Sequence, residues 1–235
     1  LPYINHSIKG LCWLLLLLSI NQLAMSQQYV FAQLKGAPLN TDGWSLSGNA
    51  QVTNVIENGS TELLLCSNNT NKSGAAFYSQ PINLSLCNKW KAEFDFRIYD
   101  GNGADGMAFC FLDVPPTSYV NGQGLGIPAT ANGLKVCFDT WKNCTSTNSY
   151  QNMPKVEIRW GVGYDECWNL PTRDNHDGRL SIIRSADYTH ALITYDNGNI
   201  GVYLNDSLFL TGFQQFNFTG YLGFTASTGG SRDNH

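Results

Sequence analysis

Between residues 92 and 98 apolar and polar positions alternate strictly. Phe94, Phe96 and Ile98 fall on one face, and Glu93, Asp95 and Arg97 on the other. That period of two predicts a strand with one face toward a core. Residues 156–160 repeat the pattern, with Val156, Ile158 and Trp160 opposite Glu157 and Arg159. Residues 107–112 are apolar throughout, which predicts a strand covered on both faces. Residues 191–195 and 200–204 flank Asp196-Asn197-Gly198-Asn199, whose turn residues predict a hairpin tip, and residues 221–226 predict a further strand. The polar run 67–73 (SNNTNKS) is expected to be a solvated hairpin tip. No window after the N-terminal segment holds a long 3.6-residue period free of Gly and β-branched residues. Many short strands separated by Gly, Asn and Ser turns predict an all-β fold, an antiparallel sandwich. No internal repeat and no low-complexity linker is visible.

The N-terminus reads differently. Lys9 precedes an apolar stretch at residues 11–20, and Ala24-Met25-Ser26 offers small residues around a cleavage site before Gln27. This predicts a signal peptide over residues 1–26 and an exported protein, secreted or held at the cell surface. The apolar stretch is about half the roughly 20 residues that a membrane span needs, and nothing after it is longer. The remaining residues 27–235 suffice for one large domain with its own core. Charged residues make up 14%, the net charge is −4, and no basic run exists. That excludes a phosphate-tracking nucleic-acid surface.

Cysteine usage fits export. Of seven cysteines, Cys12 lies in the leader; Cys66, Cys87, Cys110, Cys137, Cys144 and Cys167 remain. An even set in an exported chain points to disulfides, although six cysteines allow about fifteen connectivities. Spacing favours Cys66–Cys87 and Cys144–Cys167, each closing a loop of about 20 residues and contributing roughly 3 kcal/mol. Cys110 and Cys137 lie inside apolar strands, where buried thiols and a cross-strand bridge are both open. No C-x₂-C pair supports a zinc site.

Oxygen-bearing side chains bracket the two most apolar runs. Asp105 precedes the first, and Asp139, Trp141 and Asn143 follow the second. Alternate positions 139, 141 and 143 project to one side and offer a carboxylate, a backbone carbonyl and an amide oxygen. Calcium takes six to eight hard oxygens of this kind; a plain turn with Asp and Asn bonding their own backbone is the alternative.

Four motifs in order add the context: A-D-G at 104–106, G-Q-G-L-G-I at 122–127, F-D-T-W-K-N at 138–143 and G-F-T-A-S-T-G-G at 223–230. Over nearly all of residues 30–235 the set resembles the L-type lectins, the legume seed lectins and the cargo-receptor lectins of the secretory pathway. The resemblance implies a concanavalin A-like jelly-roll sandwich, a calcium ion, and binding of glycans or glycoproteins without catalysis. It implies that Asp105, following Ala104 in a cis peptide, accepts hydrogen bonds from sugar hydroxyls. Gly124 would donate its backbone N–H, Trp141 would stack on the sugar ring, Asn143 would serve both calcium and sugar, and Thr228, Gly229 and Gly230 would close the rim. For calcium it implies Asp139, the Trp141 carbonyl, Asn143 and a later acid. Residues 174–178 (DNHDG) are similar to the cargo-receptor motif and point to Asp177, with Asp165 as the other candidate. Legume lectins bind a transition metal through a Glu two residues before the first Asp; Cys137 stands there, so no manganese is expected. Related domains continue into another strand, so a last strand is expected to be missing and the chain to be one module of a longer, multidomain protein.

The same sandwich also hosts glycoside hydrolases, which need two carboxylates about 5–10 Å apart. Glu93 and Asp95 begin such a row, but Arg97 stands where the next acid belongs and is expected to pair with them, keeping them ionised. A non-catalytic protein-adhesion module is the third reading.

Overall fold

The computed structural model describes residues 32–55, 59–85, 88–115, 117–143, 153–164, 166, 172–173 and 180–235. Two antiparallel sheets dominate. The larger runs in the order β1 (Trp44–Gly48), β4 (Ser73–Tyr78), β14 (Thr219–Ser227), β7 (Gly106–Leu112), β8 (Asn132–Asp139), β9 (Lys155–Val162) and β10 (Thr172–Arg173), with β5 (Ile82–Asn83) also paired to β14. The smaller runs β13 (Ser207–Phe213), β12 (Asn199–Leu204), β11 (Ser185–Asp196) and β6 (Lys89–Ile98). β2 (Gln51–Asn54) and β3 (Thr61–Leu64) form a separate ribbon.

Period-two alternation decides which side chains fill the space between the sheets. Phe94 and Phe96 of β6 face Phe109 of β7, Phe138 of β8 and Phe224 of β14. The ring centroids are 4.6 Å apart for Phe96–Phe138 and 4.9 Å for Phe94–Phe224. These aromatics join the two sheets into a sandwich. The β11–β12 hairpin turns through Asn197 and Gly198, both at positive φ (50° and 93°), in the two-residue loop that an Asn-Gly pair favours.

β7 and β8 are apolar throughout because the large sheet is covered on its second face as well. Leu125, Ile127 and Ala131 pack there on Ala108, Cys110, Leu112 and Cys137. Cys110 and Cys137 are free, fully buried thiols, so no bridge joins them. Cys66 is also a free thiol, which corrects the expected Cys66–Cys87 disulfide. Its side chain is enclosed in the inter-sheet core, and burial pushes the thiol up to about 11. Cys87, Cys144 and Cys167 lie outside the described residues.

Two further expectations are corrected. The run 67–73 is no hairpin tip: it links β3 in the ribbon to β4 in the large sheet. Arg97 does not pair with Glu93 and Asp95. Its guanidinium forks onto Glu62 (both N–H···O distances 3.0 Å) and lies over the rings of Tyr99 and Tyr188, while Asp95 meets His190 at 2.8 Å. The ribbon brings Glu62 to β6, a long-range contact that a local pattern does not carry.

Candidate functional site

Asp105 stands immediately before β7, and its peptide bond to Ala104 is cis. Its backbone ties three strand ends together. The N–H donates to Ser227 O at the end of β14 (3.1 Å), and the carbonyl accepts from the Thr140 N–H just beyond β8 (2.8 Å) and from Thr140 Oγ1 (3.1 Å). The carboxyl group is thereby fixed at one edge of the sheet, and the residue is only 3% exposed. Oδ1 accepts from Asn143 Nδ2 at 3.4 Å. Oδ2 is buried and makes no hydrogen bond of full geometry among the described residues; the Gly229 backbone lies beside it. Burial pushes the Asp105 carboxyl up to about 6; the Asn143 amide and the Gly229 backbone N–H offset part of that push, and nearby Glu166 adds to it.

Two glycines line this carboxylate. A Cβ on Gly229 would stand 3.0 Å from Asp105 Oδ2 and 3.3 Å from Gly122 Cα. Gly122 has φ +63°, a conformation that side chains rarely adopt. Gly124 does not reach the acid. Its N–H closes a turn on Asn121 O at 3.4 Å, and a Cβ there would strike Val120. The glycine of this turn that lies beside the carboxylate is Gly122. Around Gly230 the space is open. The rim loop is braced by the 67–73 link: Thr228 N donates to Lys72 O (2.8 Å) and Asn71 N to Gly229 O (2.9 Å). Sequence reading assigned that link no role.

From the other side, the segment after β8 folds over the acid. Asp139 Oδ1 accepts the Trp141 N–H at 3.1 Å, and the Asn143 side-chain amide donates both to Trp141 O (3.3 Å) and to Asp105. Asp105, the Trp141 backbone and Asn143 are therefore drawn together, and Trp141 is 39% exposed. Glu166 completes the group. Its carboxylate accepts the Asn143 N–H at 2.8 and 3.1 Å, and the residue is buried. Asp165 and Asp177, the expected fourth calcium ligands, lie outside the described residues. Glu166, adjacent to Asp165 in Y-D-E-C, is the acid found at Asn143, and the motif alone does not single it out.

The polar face of β9 is buried. Lys155 Nζ lies 3.6 Å from Asp139 Oδ2 and 3.8 Å from Glu166 Oε1, and it contacts Glu157 Oε1. Arg159 contacts Glu157 and donates to Glu166 O at 3.2 Å. Tyr164 donates its hydroxyl to Asp139 Oδ2 at 2.9 Å. Burial drives the Asp139 carboxyl well above the usual range; Lys155 opposes that shift, and repulsion from Glu166 and Glu157 adds to it.

The donor chemistry fits calcium. Asp139 and Glu166 supply carboxylate oxygens, Trp141 a carbonyl and Asn143 an amide oxygen, all hard donors. Among the described residues, four acids (Asp105, Asp139, Glu157 and Glu166) share this region with two buried basic groups, Lys155 and Arg159. Among the described residues no three His, Cys, Asp or Glu side chains are placed to hold one metal ion, so a cation here would depend on the carbonyl and amide oxygens as well.

A family model described as "Legume-like lectin family" matches residues 24–235. Among solved structures, the VIP36 exoplasmic/lumenal domain in its Ca2+/Man3GlcNAc-bound form is similar, with a TM-score of 0.66, 20% identity, and 83% of this chain and 81% of that chain covered. Lectin I-B4 from Griffonia simplicifolia, metal-free, gives a TM-score of 0.63 at 24% identity over 82% of this chain and 90% of that chain. The Emp47p carbohydrate recognition domain gives 0.61 at 16% identity over 86% and 87%. At these identities the neighbours establish the sandwich fold.

Proposed function

Because this chain belongs to the legume-like lectin family, we propose that it is an exported, calcium-dependent glycan-binding module that recognises sugar without transforming it. The observation that carries this reading is Asp105 Oδ2, a buried carboxylate oxygen that makes no hydrogen bond of full geometry among the described residues. An unpaired buried acceptor costs about 1–3 kcal/mol, and a ligand hydroxyl removes that cost. A second hydroxyl can share the carboxylate, and the Asn143 amide lies beside it as a donor. Gly229 and Gly230 present backbone N–H groups at a rim where side chains do not crowd the approach. The half-exposed Trp141 ring offers an apolar surface to the carbon face of a sugar.

Calcium would be held by Asp139, the Trp141 carbonyl, Asn143 and Glu166, with Asp177 or Asp165 as further candidates; it would fix loop geometry and so lower the ordering cost of binding. Calcium is expected to raise the melting temperature, and Asp139→Ala to abolish that rise, as read by scanning fluorimetry; equal curves in calcium and in chelator would remove the metal. A site of this kind on one chain binds modestly, so glycan recognition would gain from several copies on one assembly.

The raised Asp105 pKa sets a pH dependence. Hydroxyl donors favour the ionised carboxylate, and in the free protein that form is lost as pH falls through about 6. Calcium beside Asn143 would favour the ionised form and move this loss to lower pH, so glycan affinity at saturating calcium is expected to be flat above pH 7 and to fall by up to about tenfold per pH unit once Asp105 protonates. An acid-side fall in affinity that persists unchanged in a folded Asp105→Asn would take the Asp105 carboxylate out of the contact.

A glycan array run with and without chelator tests the function as a whole. A binder gives calcium-dependent signals, with mannose-terminated glycans of the kind in the VIP36 complex as one panel. Released product would indicate a hydrolase, and silence throughout an adhesion module.

A further inference from the structure

Seven N-x-S/T sequons follow residue 26, at Asn58, Asn68, Asn71, Asn83, Asn143, Asn205 and Asn217. In an exported chain each is a candidate acceptor of an N-linked glycan. Asn58 lies outside the described residues; the structure sorts the other six. Two amides are occupied. Asn143 Nδ2 donates to Asp105 Oδ1 (3.4 Å) and Trp141 O (3.3 Å), and Asn68 Nδ2 donates to Asp100 O while Asn68 Oδ1 is buried. A sugar on either nitrogen would push these contacts apart. Asn83, Asn205 and Asn217 are exposed. Asn83 pairs with Thr219 at the start of β14, two residues after Asn217, whereas the Asp105 site lies past the other end of that strand, at Ser227. Asn205 sits in the β12–β13 turn of the small sheet.

Asn71 is exposed and stands at the glycan site itself. Its N–H donates to Gly229 O (2.9 Å), while Lys72 N donates to Thr228 Oγ1 (3.0 Å) and accepts at its carbonyl from Thr228 N (2.8 Å). Gly229 in turn flanks Asp105 Oδ2. Asn71 has φ 55°, a left-handed turn position that Asn tolerates better than most residues. A glycan on this side chain is therefore rooted on a backbone pinned to the rim, facing the Trp141 and Asn143 segment across the acid.

We propose that Asn71 is an N-glycosylation site whose glycan screens the rim at Gly229 and Gly230, admitting small sugars and hindering large branched ones. The oligosaccharide passes from a lipid pyrophosphate donor to Asn71 Nδ2. The C1–O bond to phosphate breaks, a C1–N bond forms, the pyrophosphate leaves with the bonding electrons, and the amide nitrogen gives up one proton. Asn68 and Asn143 stay unmodified in the folded protein. The modification rests on export; the screening rests also on the glycan-binding reading.

Secretion of the full chain from a eukaryotic host, enzymatic release of N-glycans in heavy-oxygen water and peptide mass spectrometry read occupancy. The expected result is labelled aspartate at 71 and unlabelled asparagine at 68 and 143. An unmodified Asn71 in the secreted, folded protein would overturn the proposal. On a glycan array at saturating calcium, Asn71→Asp, which keeps the turn but loses the sequon, is expected to bind branched glycans at least about fivefold more tightly than the glycosylated wild type, and their terminal monosaccharides within about twofold. Asn83→Asp is expected to match wild type. Wild type and Asn71→Asp made in a host without N-glycosylation are expected to bind alike. Equal affinity of occupied wild type and Asn71→Asp for branched glycans would overturn the screening, as would a difference that persists without glycosylation. If no form binds any glycan of the array, the glycan-binding reading fails, while occupancy at Asn71 still decides the modification.

Discussion

Asp105→Ala is expected to remove glycan binding and leave the fold intact. Hydrogen bonds to a charged acceptor are worth about 1.5–3 kcal/mol each. Losing two therefore costs at least about 3 kcal/mol, more than a hundredfold in affinity. The stability effect has the opposite character. A carboxyl raised by burial from 3.8 to about 6 costs the folded state stability progressively as pH rises between those two values, and in full above about 6, because the unfolded chain ionises more readily. At neutral pH the variant's melting temperature should not fall. The backbone bonds of residue 105 to Ser227 and Thr140 survive the substitution and keep the strand ends joined. Titration of a bound glycan against both proteins, with melting curves, checks both parts. Retained affinity within tenfold would place the contact elsewhere.

Phe138→Ala carries the largest expected cost to stability. Phe138 is fully buried and meets Phe96 at 4.6 Å and Phe94 edge-on at 6.2 Å, so it joins the large sheet to β6 of the small one. Truncating a ring in such a core costs about 3–5 kcal/mol. For a domain of this size that lowers the melting temperature by roughly 2–4 °C per kcal/mol. A loss below about 1 kcal/mol in a denaturant titration would contradict the packing described between the sheets.

The strands were legible because their signal is local. Phe94, Phe96 and Ile98 alternate with charged residues, and one face of β6 is indeed covered while the other meets Glu62 and His190. The unbroken apolar run in β7 rightly indicated cover on both faces. The same logic misleads on β9. Glu157 and Arg159 alternate with Val156, Ile158 and Trp160 like a solvated face, yet the charged side is sealed. What seals it comes from elsewhere in the chain, from Asp139, Tyr164 and Glu166, and periodicity within one strand carries no trace of that.

The motif order singled out Asp105, Trp141 and Asn143, each at a strand end that the pattern marks, and the structure draws these three together. That Gly122 rather than Gly124 lies beside the acid was not legible: both glycines belong to one tight turn, and only the turn's register decides which Cα faces it. The contact of Glu166 with Asn143 was not legible either, since the motif does not single it out. The run 67–73 looked like any polar tip because its partners, Thr228 and Gly229, are more than 150 residues away.

Isothermal titration of an array-selected glycan into wild-type protein, once in calcium and once in EDTA, tests the central claim most directly. The expected result is one glycan per chain in calcium and no measurable heat in EDTA. Equal binding in both conditions would contradict the calcium-braced site, and a glycan that binds Asp105→Ala as tightly as wild type would contradict the site itself.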